Sequence, residues 1–149
     1  MALMALERTF THRIHALMKQ VDRVTQDCYE GEAGIPAHEG RCLTAIGSYP
    51  PLSVNDLAQH ANLDKAQASR AAQSLAAKGL IDKTPGATDA RSVALTLTPQ
   101  GRQVWLRAMR LVTRRNHEMT ACLSADERQM FDKCLDKLLA HVNAGTRQA

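Results

Sequence analysis

Apolar residues return along the first part of the chain at alternating steps of four and three: Phe10, Ile14, Leu17, Val21, Val24 and Cys28. That spacing tracks one face of an α-helix, so the pattern predicts a helix over residues 6–28 with one narrow apolar seam. A seam so narrow calls for a partner helix. Gly31, Gly34 and Pro36 interrupt the pattern, and a second helix is expected over 37–47, burying Leu43 and Ile46 and stopped by Gly47 and Pro50-Pro51. Ser53 followed by Asp56 has the form of a capping box, in which each side chain is expected to satisfy a free amide of the first turn and to open a short helix through His60. Three turn residues later Asp64 caps a helix over 65–78, which Gly79 ends in a left-handed cap.

Two helices of these lengths joined by so short a turn form a helix-turn-helix, whose second helix is the candidate reader of a DNA major groove. The same pattern fits an ordinary helical hairpin, and the next segment decides between them. "IDKT" at 81–84 and "SVALTLT" at 92–98 are short β-like runs with Val93, Leu95 and Leu97 alternating, separated by the turn-rich "PGATDAR". A helix-turn-helix followed at once by such a hairpin is a winged helix, giving a mainly α fold with a small β-hairpin wing. Thr98 then caps a long helix with Pro99 in its first position, running to about Thr120. Ser124 and Glu127 form a second capping box, opening a last helix whose Phe131, Cys134, Leu135, Leu138 and Val142 share one face. The expected organisation is a winged helix-turn-helix over 36–98 for DNA binding, with 1–35 and 99–149 as a helical dimerisation region.

With 149 residues and 44% apolar content the chain can fill a single core. No stretch approaches the roughly 20 apolar residues of a membrane span. The start, with Glu7 and Arg8 close behind Leu3 and Leu6, lacks a secretory apolar region, so the cytoplasm, at the nucleoid, is the expected location. The net charge of +4 has the sign that attracts phosphate backbones, and a dimer doubles it. Cys28, Cys42, Cys122 and Cys134 show no C-x-x-C spacing and are expected to be buried thiols in a reducing compartment. Cys42, beside Arg41, is the one candidate for a redox-sensing thiolate. His12 and His15 come nearest to a metal pair but lack a carboxylate or thiolate partner, so neither metal nor cofactor is expected. There is no Gly-rich phosphate loop, no G-x-S-x-G elbow and no His–carboxylate cluster at useful spacing, which argues against an enzyme.

The wing segment carries a more specific signal. Asp89-x-Arg91 followed by Leu97-Thr98, with "KGLI" at 78–81, "L-A-x-x-x-x-L-D" at 57–64 and Gly101 downstream, resembles the signature of the MarR family of bacterial regulators, and the resemblance extends over nearly the whole chain. It implies a homodimer in which the first and last two helices of each subunit interlock and two wings straddle a pseudo-palindromic operator. It also implies release of the DNA by a small, often aromatic, acid or by oxidation of a cysteine. The family commonly carries two adjacent arginines after the acid. Here the first is Ala90, which leaves the wing one basic contact.

The expected chemistry of DNA reading follows. Arg91 at a hairpin tip can enter the negative potential of a minor groove, restrained by Asp89. At 100° per residue, Ala68, Ala72 and Leu75 fall on one side of the recognition helix, whereas Gln67, Arg70 and Ser74 fall on the other, with Ala66 and Gln73 beside them. Arg70 suits guanine or phosphate, Gln67 and Gln73 suit adenine edges, and Ala66 leaves room for a thymine methyl. Lys65, Ser69 and the Ser53 end of the preceding helix are expected at phosphates. The resemblance also implies that the first two helices border the cleft where effectors bind, so His12, His15 and Lys19 on the first helix and His38 and Arg41 on the second are expected to form a cationic group suited to an aromatic carboxylate. The expected function is a repressor released by a phenolic or pyridine acid. The alternatives are a cysteine-based redox regulator or a winged-helix protein adaptor without specific DNA binding.

Overall fold

The structure, a computed structural model, describes residues 3–86 and 92–146. A single 3-10 turn at Leu6–Arg8 precedes α1 (Phe10–Cys28), so the N-terminal helix is interrupted at Thr9, whose hydroxyl donates to the Leu6 carbonyl at 2.7 Å. The chain does not break at Gly31 as the sequence suggests. It continues through a π-helical turn, Tyr29–Ala33, and ends at Gly34, whose φ of 72° takes the left-handed conformation that closes a helix at little cost for glycine. α2 (Ala37–Ser48) follows. Its early approach to the π turn depends on Gly40, where an added Cβ would sit 2.3 Å from the Tyr29 ring.

Next come β1 (Leu52–Ser53), α3 (Val54–Ala61), α4 (Lys65–Ala77), β2 (Ile81–Pro85), β3 (Val93–Leu97), α5 (Pro99–Met119) and α6 (Ala125–Thr146). The sheet is antiparallel with order β1-β3-β2. Leu52 stands opposite Leu95, and Ile81 opposite Leu97. β1 is absent from the sequence reading because two residues cannot display a period. Burial of Leu52 against β3 makes it a strand.

Leu43 and Ile46 of α2, Leu57 of α3, Leu75 of α4 and Leu95 of β3 fill the core, each fully buried. Ala68, Ala71 and Ala72 line the inner side of α4, and their small side chains let that helix lie close to α2 and α3. The first part of α5 joins this core through Val104, Ala108 and Leu111. Trp105 covers Gly47, where no side chain fits, and its indole N–H donates to the Thr44 carbonyl at 3.4 Å. Residues 1–112 accordingly form one compact unit and 113–149 a second.

A knot of hydrogen bonds ties the root of the wing. Thr98 Oγ1 donates to the Gly79 carbonyl at 2.7 Å and accepts from the Gly101 amide at 2.9 Å, and the Thr98 amide donates to the Leu80 carbonyl at 3.1 Å. One threonine thereby caps α5 and fixes the end of α4 to the hairpin. In the second unit Ser124 and Glu127 satisfy one another's amides, at 2.8 and 3.2 Å, as the capping-box pattern requires. Among the described residues no helix is long and apolar enough to cross a membrane.

Candidate nucleic-acid interface

α3 and α4 meet through a turn in which Asn62 adopts a left-handed φ of 54° and the Leu63 amide donates to the Ala58 carbonyl at 2.9 Å. Asn tolerates this conformation better than most side chains. The Ser53 cap is one-sided: its Oγ accepts from the Asp56 amide at 3.1 Å, but the Asp56 carboxylate accepts from the Ser53 hydroxyl at 2.7 Å instead of reaching back to the backbone. The two-sided box falls at α4, where Asp64 Oδ1 accepts from the Gln67 amide at 2.7 Å and Gln67 Oε1 accepts from the Asp64 amide at 3.4 Å. That second bond is long and weak. Gln67 keeps both amide hydrogens, and its oxygen is easily surrendered to a better partner.

Beyond this cap Lys65, Ala66, Gln67, Arg70 and Gln73 are exposed, Ser69 is half-buried, and the opposite side is the alanine core. His38, at the start of α2, lies beside the row and lines a recess of about 240 Å³ with Gln67 and Arg70.

Ser74 departs from expectation. It shares an angular position with Gln67 and Arg70, but α2 covers this stripe of the helix one turn further on, and the Ser74 hydroxyl donates to Glu39 Oε1 at 2.7 Å. Ser74 is therefore a packing contact between helices and leaves the set of DNA readers. Asp89 and Arg91 lie outside the described residues, as does Ala90. The hairpin that carries them is described up to Gly86 and from Ser92, whose carbonyl accepts from the Gly86 amide at 2.8 Å.

The five effector candidates divide. Arg41 forms an ion pair with Asp22 of α1, whereas His38 joins Gln67 and Arg70. His12, His15 and Lys19 are exposed on α1. Sequence reasoning missed Asp22, and placed Glu39 at the start of the second helix without its partners, because both carboxylates pair with residues distant in sequence. It also missed a recess of about 400 Å³ in the second unit, lined by His117, Arg128 and Phe131 among others.

The cysteines divide as well. Cys42 is fully buried, and burial, reinforced by the nearby Glu39 charge, pushes its thiol up to about 12, so it is a poor nucleophile rather than an activated one. Cys122 and Cys134 are exposed and Cys28 is half-buried, against the expectation of four buried thiols. Cys134 belongs to the apolar face of α6, and that face is itself uncovered in the single chain, with Phe131 and Val142 exposed. Among the described residues no cluster of three or more potential ligands could hold a metal ion.

A helix-turn-helix whose second helix bares a basic and amide-bearing row, followed at once by a two-stranded hairpin, defines a winged-helix DNA-binding module. Residues 33–92 match the model described as MarR family, and the solved structures on which the chain superposes include MarR-family transcriptional regulators. The HTH-type transcriptional repressor Rv2887 of Mycobacterium tuberculosis is 29% identical over 105 residues, covering 70% of this chain and 76% of that protein. Its structure in complex with p-aminosalicylic acid superposes with a TM-score of 0.70 at 23% identity, over 87% of this chain and 98% of that one. A MarR/EmrR family regulator from Acinetobacter sp. ADP1 superposes with a TM-score of 0.85 at 24% identity, over 95% and 99%. BpsR of Bordetella bronchiseptica, whose DNA binding is regulated by 6-hydroxynicotinic acid, does so with 0.81 at 19% identity, over 92% and 97%.

Proposed function

We propose that this regulator is a repressor that binds a pseudo-palindromic operator as a homodimer and leaves it when a small aromatic carboxylic acid binds. The observation that carries the DNA half of this reading is the division of α4: an alanine inner side lets the helix pack closely, while Lys65, Gln67, Arg70 and Gln73 are exposed on the outer side. Arg70 offers a bidentate donor pair to guanine, Gln67 and Gln73 the donor–acceptor pair that fits adenine, and Ala66 space for a thymine methyl. Lys65 and Ser69 serve phosphates, as do the first-turn amides of α3 behind Ser53. Arg91 and Asp89 of the wing are assigned to the minor groove by the sequence pattern. Pairing of two chains is supported by the bare apolar residues of α1 and α6, where Phe10 and Leu17 are 56% and 53% exposed and Val142 is 61% exposed.

The effector half rests on the Arg41–Asp22 pair. A ligand carboxylate offers Arg41 the same charge-assisted contact as Asp22 and can exchange with it, with His12, His15 and Lys19 of α1 adding positive charge. Rv2887 in complex with p-aminosalicylic acid and BpsR with 6-hydroxynicotinic acid support an aromatic acid as the class. Cysteine sensing at residue 42 is disfavoured by burial and by the raised thiol.

Fluorescence anisotropy on a duplex enriched from random DNA tests both halves. Affinity is expected to fall steeply as salt rises, through release of counterions from contacted phosphates. Hydroxybenzoic and pyridinecarboxylic acids are expected to dissociate the complex, and Arg41→Ala to blunt that response. A salt-insensitive complex points instead to an adaptor, and a wild-type complex that every such acid leaves intact removes the effector assignment.

A further inference from the structure

Glu39 is the one charged residue among the buried side chains described, 4% exposed in the first turn of α2. A carboxylate taken out of water at such a place is costly unless fully partnered. Both of its partners belong to the recognition helix segment: Oε1 accepts from Ser74 Oγ at 2.7 Å, and Oε2 accepts from Lys78 Nζ at 2.5 Å. The two are four residues apart, Ser74 within α4 and Lys78 at its C-terminal cap. They lie on the same stripe as Gln67 and Arg70, whose outer side borders His38, the residue before Glu39. The first turn of α2 therefore follows two turns of α4, bordering a recess with the outer half through His38 and gripping the other half with Glu39.

We infer that Glu39 is a positioning residue for DNA reading, fixing the rotation and axial setting of α4 through Ser74 and Lys78. This inference rests on the reading of α4 as the groove helix. A helix held at one point can turn about its axis or slide along it. Two hydrogen bonds from one buried carboxylate to successive turns oppose both motions. Apolar contacts on the inner side, made by alanine methyls and by Leu75 alone among large side chains, oppose them less sharply, because such contacts are non-directional. A turn of α4 by a fraction of a residue's 100° moves the Arg70 guanidinium relative to a base edge by more than a hydrogen bond tolerates. Phosphate contacts made by the long, flexible Lys65 accommodate the same shift. Loss of Glu39 should thus reduce discrimination between sequences more than attraction to DNA in general.

The test measures affinity for a duplex enriched by the wild-type protein and for a base-permuted duplex of equal length, with wild type, Glu39→Ala, Glu39→Gln and Ser74→Ala, alongside thermal unfolding. Glu39→Ala should lose about tenfold or more in the ratio of the two affinities, the size of one mismatched base pair, with affinity for the permuted duplex little changed. Glu39→Gln, which keeps an acceptor for Ser74, should recover part of the ratio. Ser74→Ala retains the ion pair and should stay folded even if Glu39→Ala does not, while still lowering the ratio. A ratio equal to wild type in folded Glu39→Gln and Ser74→Ala, whatever their melting temperatures, overturns the inference and leaves Glu39 a purely structural group. If the wild type itself shows no preference for any enriched duplex, the groove-helix reading fails and the inference falls with it.

Discussion

Replacing Gly101 by alanine places a methyl group where the backbone of another segment already lies. An added Cβ would stand 1.7 Å from the Leu80 carbonyl oxygen and 2.7 Å from its carbon. Neither atom can rotate away as a side chain would, so the start of α5 must withdraw. Withdrawal breaks the knot at Thr98, which holds the Gly79 carbonyl at 2.7 Å and the Gly101 amide at 2.9 Å. Overpacking of this kind costs about 1–3 kcal/mol, and loss of the helix cap adds about 1 kcal/mol. The better helix propensity of alanine returns up to about 1 kcal/mol. The net expectation is a destabilisation of about 1–4 kcal/mol, a fall of roughly 2–16 °C in the melting temperature for a chain of this size. Thermal unfolding followed by circular dichroism measures it directly. A Gly101→Ala protein that melts with the wild type refutes the close approach of α5 to the hairpin root.

Further expectations concern the wing and the thiols. Arg91→Ala should weaken operator binding measured by anisotropy while sedimentation still reports the dimer; unchanged affinity removes Arg91 from the interface. Cys42 should resist alkylation at neutral pH in the folded protein while Cys122 reacts, because its thiol is held up to about 12 and is shielded from solvent; rapid labelling of Cys42 on mass mapping contradicts its placement. The folded state retains the Cys42 proton above the ordinary value of 9.0, where the unfolded chain has lost it. Stability is therefore untouched below about pH 9 and declines as pH rises from there toward 12. Cys42→Ala should flatten that decline in denaturant melts across the alkaline range. Tyr29 acts in the same direction, its hydroxyl raised chiefly by burial, so some slope should remain.

Much of this architecture is legible in the sequence because its elements obey periods and caps. Asp64, Thr98 and Ser124 mark the starts of α4, α5 and α6 by local rules, and the inward set Ala68, Ala72 and Leu75 follows from angle alone. Angle also explains the failure at Ser74: it gives the side of a helix on which a residue stands, and tertiary packing decides how far along that side a neighbouring helix reaches. Glu39 illustrates the same limit. A glutamate in a first turn ordinarily faces water, and its partners 35 and 39 residues away become visible only once α2 lies along α4. Asp22 and Arg41, 19 residues apart on different helices, carry no local signal either. Cys134 is expected to be covered because the apolar pattern of α6 specifies a buried face. Phe131, Cys134 and Val142 on that face are exposed instead.

Parallel selections from random duplex DNA with the wild-type protein and with Arg70→Ala test the central claim most directly, because they read base preference position by position. The wild type should enrich an inverted repeat whose half-sites lie about one helical turn, or 10–10.5 base pairs, apart. Arg70→Ala should enrich the same repeat with preference lost at one or two symmetric positions in each half-site. No enrichment by the wild type, or identical preferences at every position for both proteins, would contradict the assignment of α4 as the element that reads sequence.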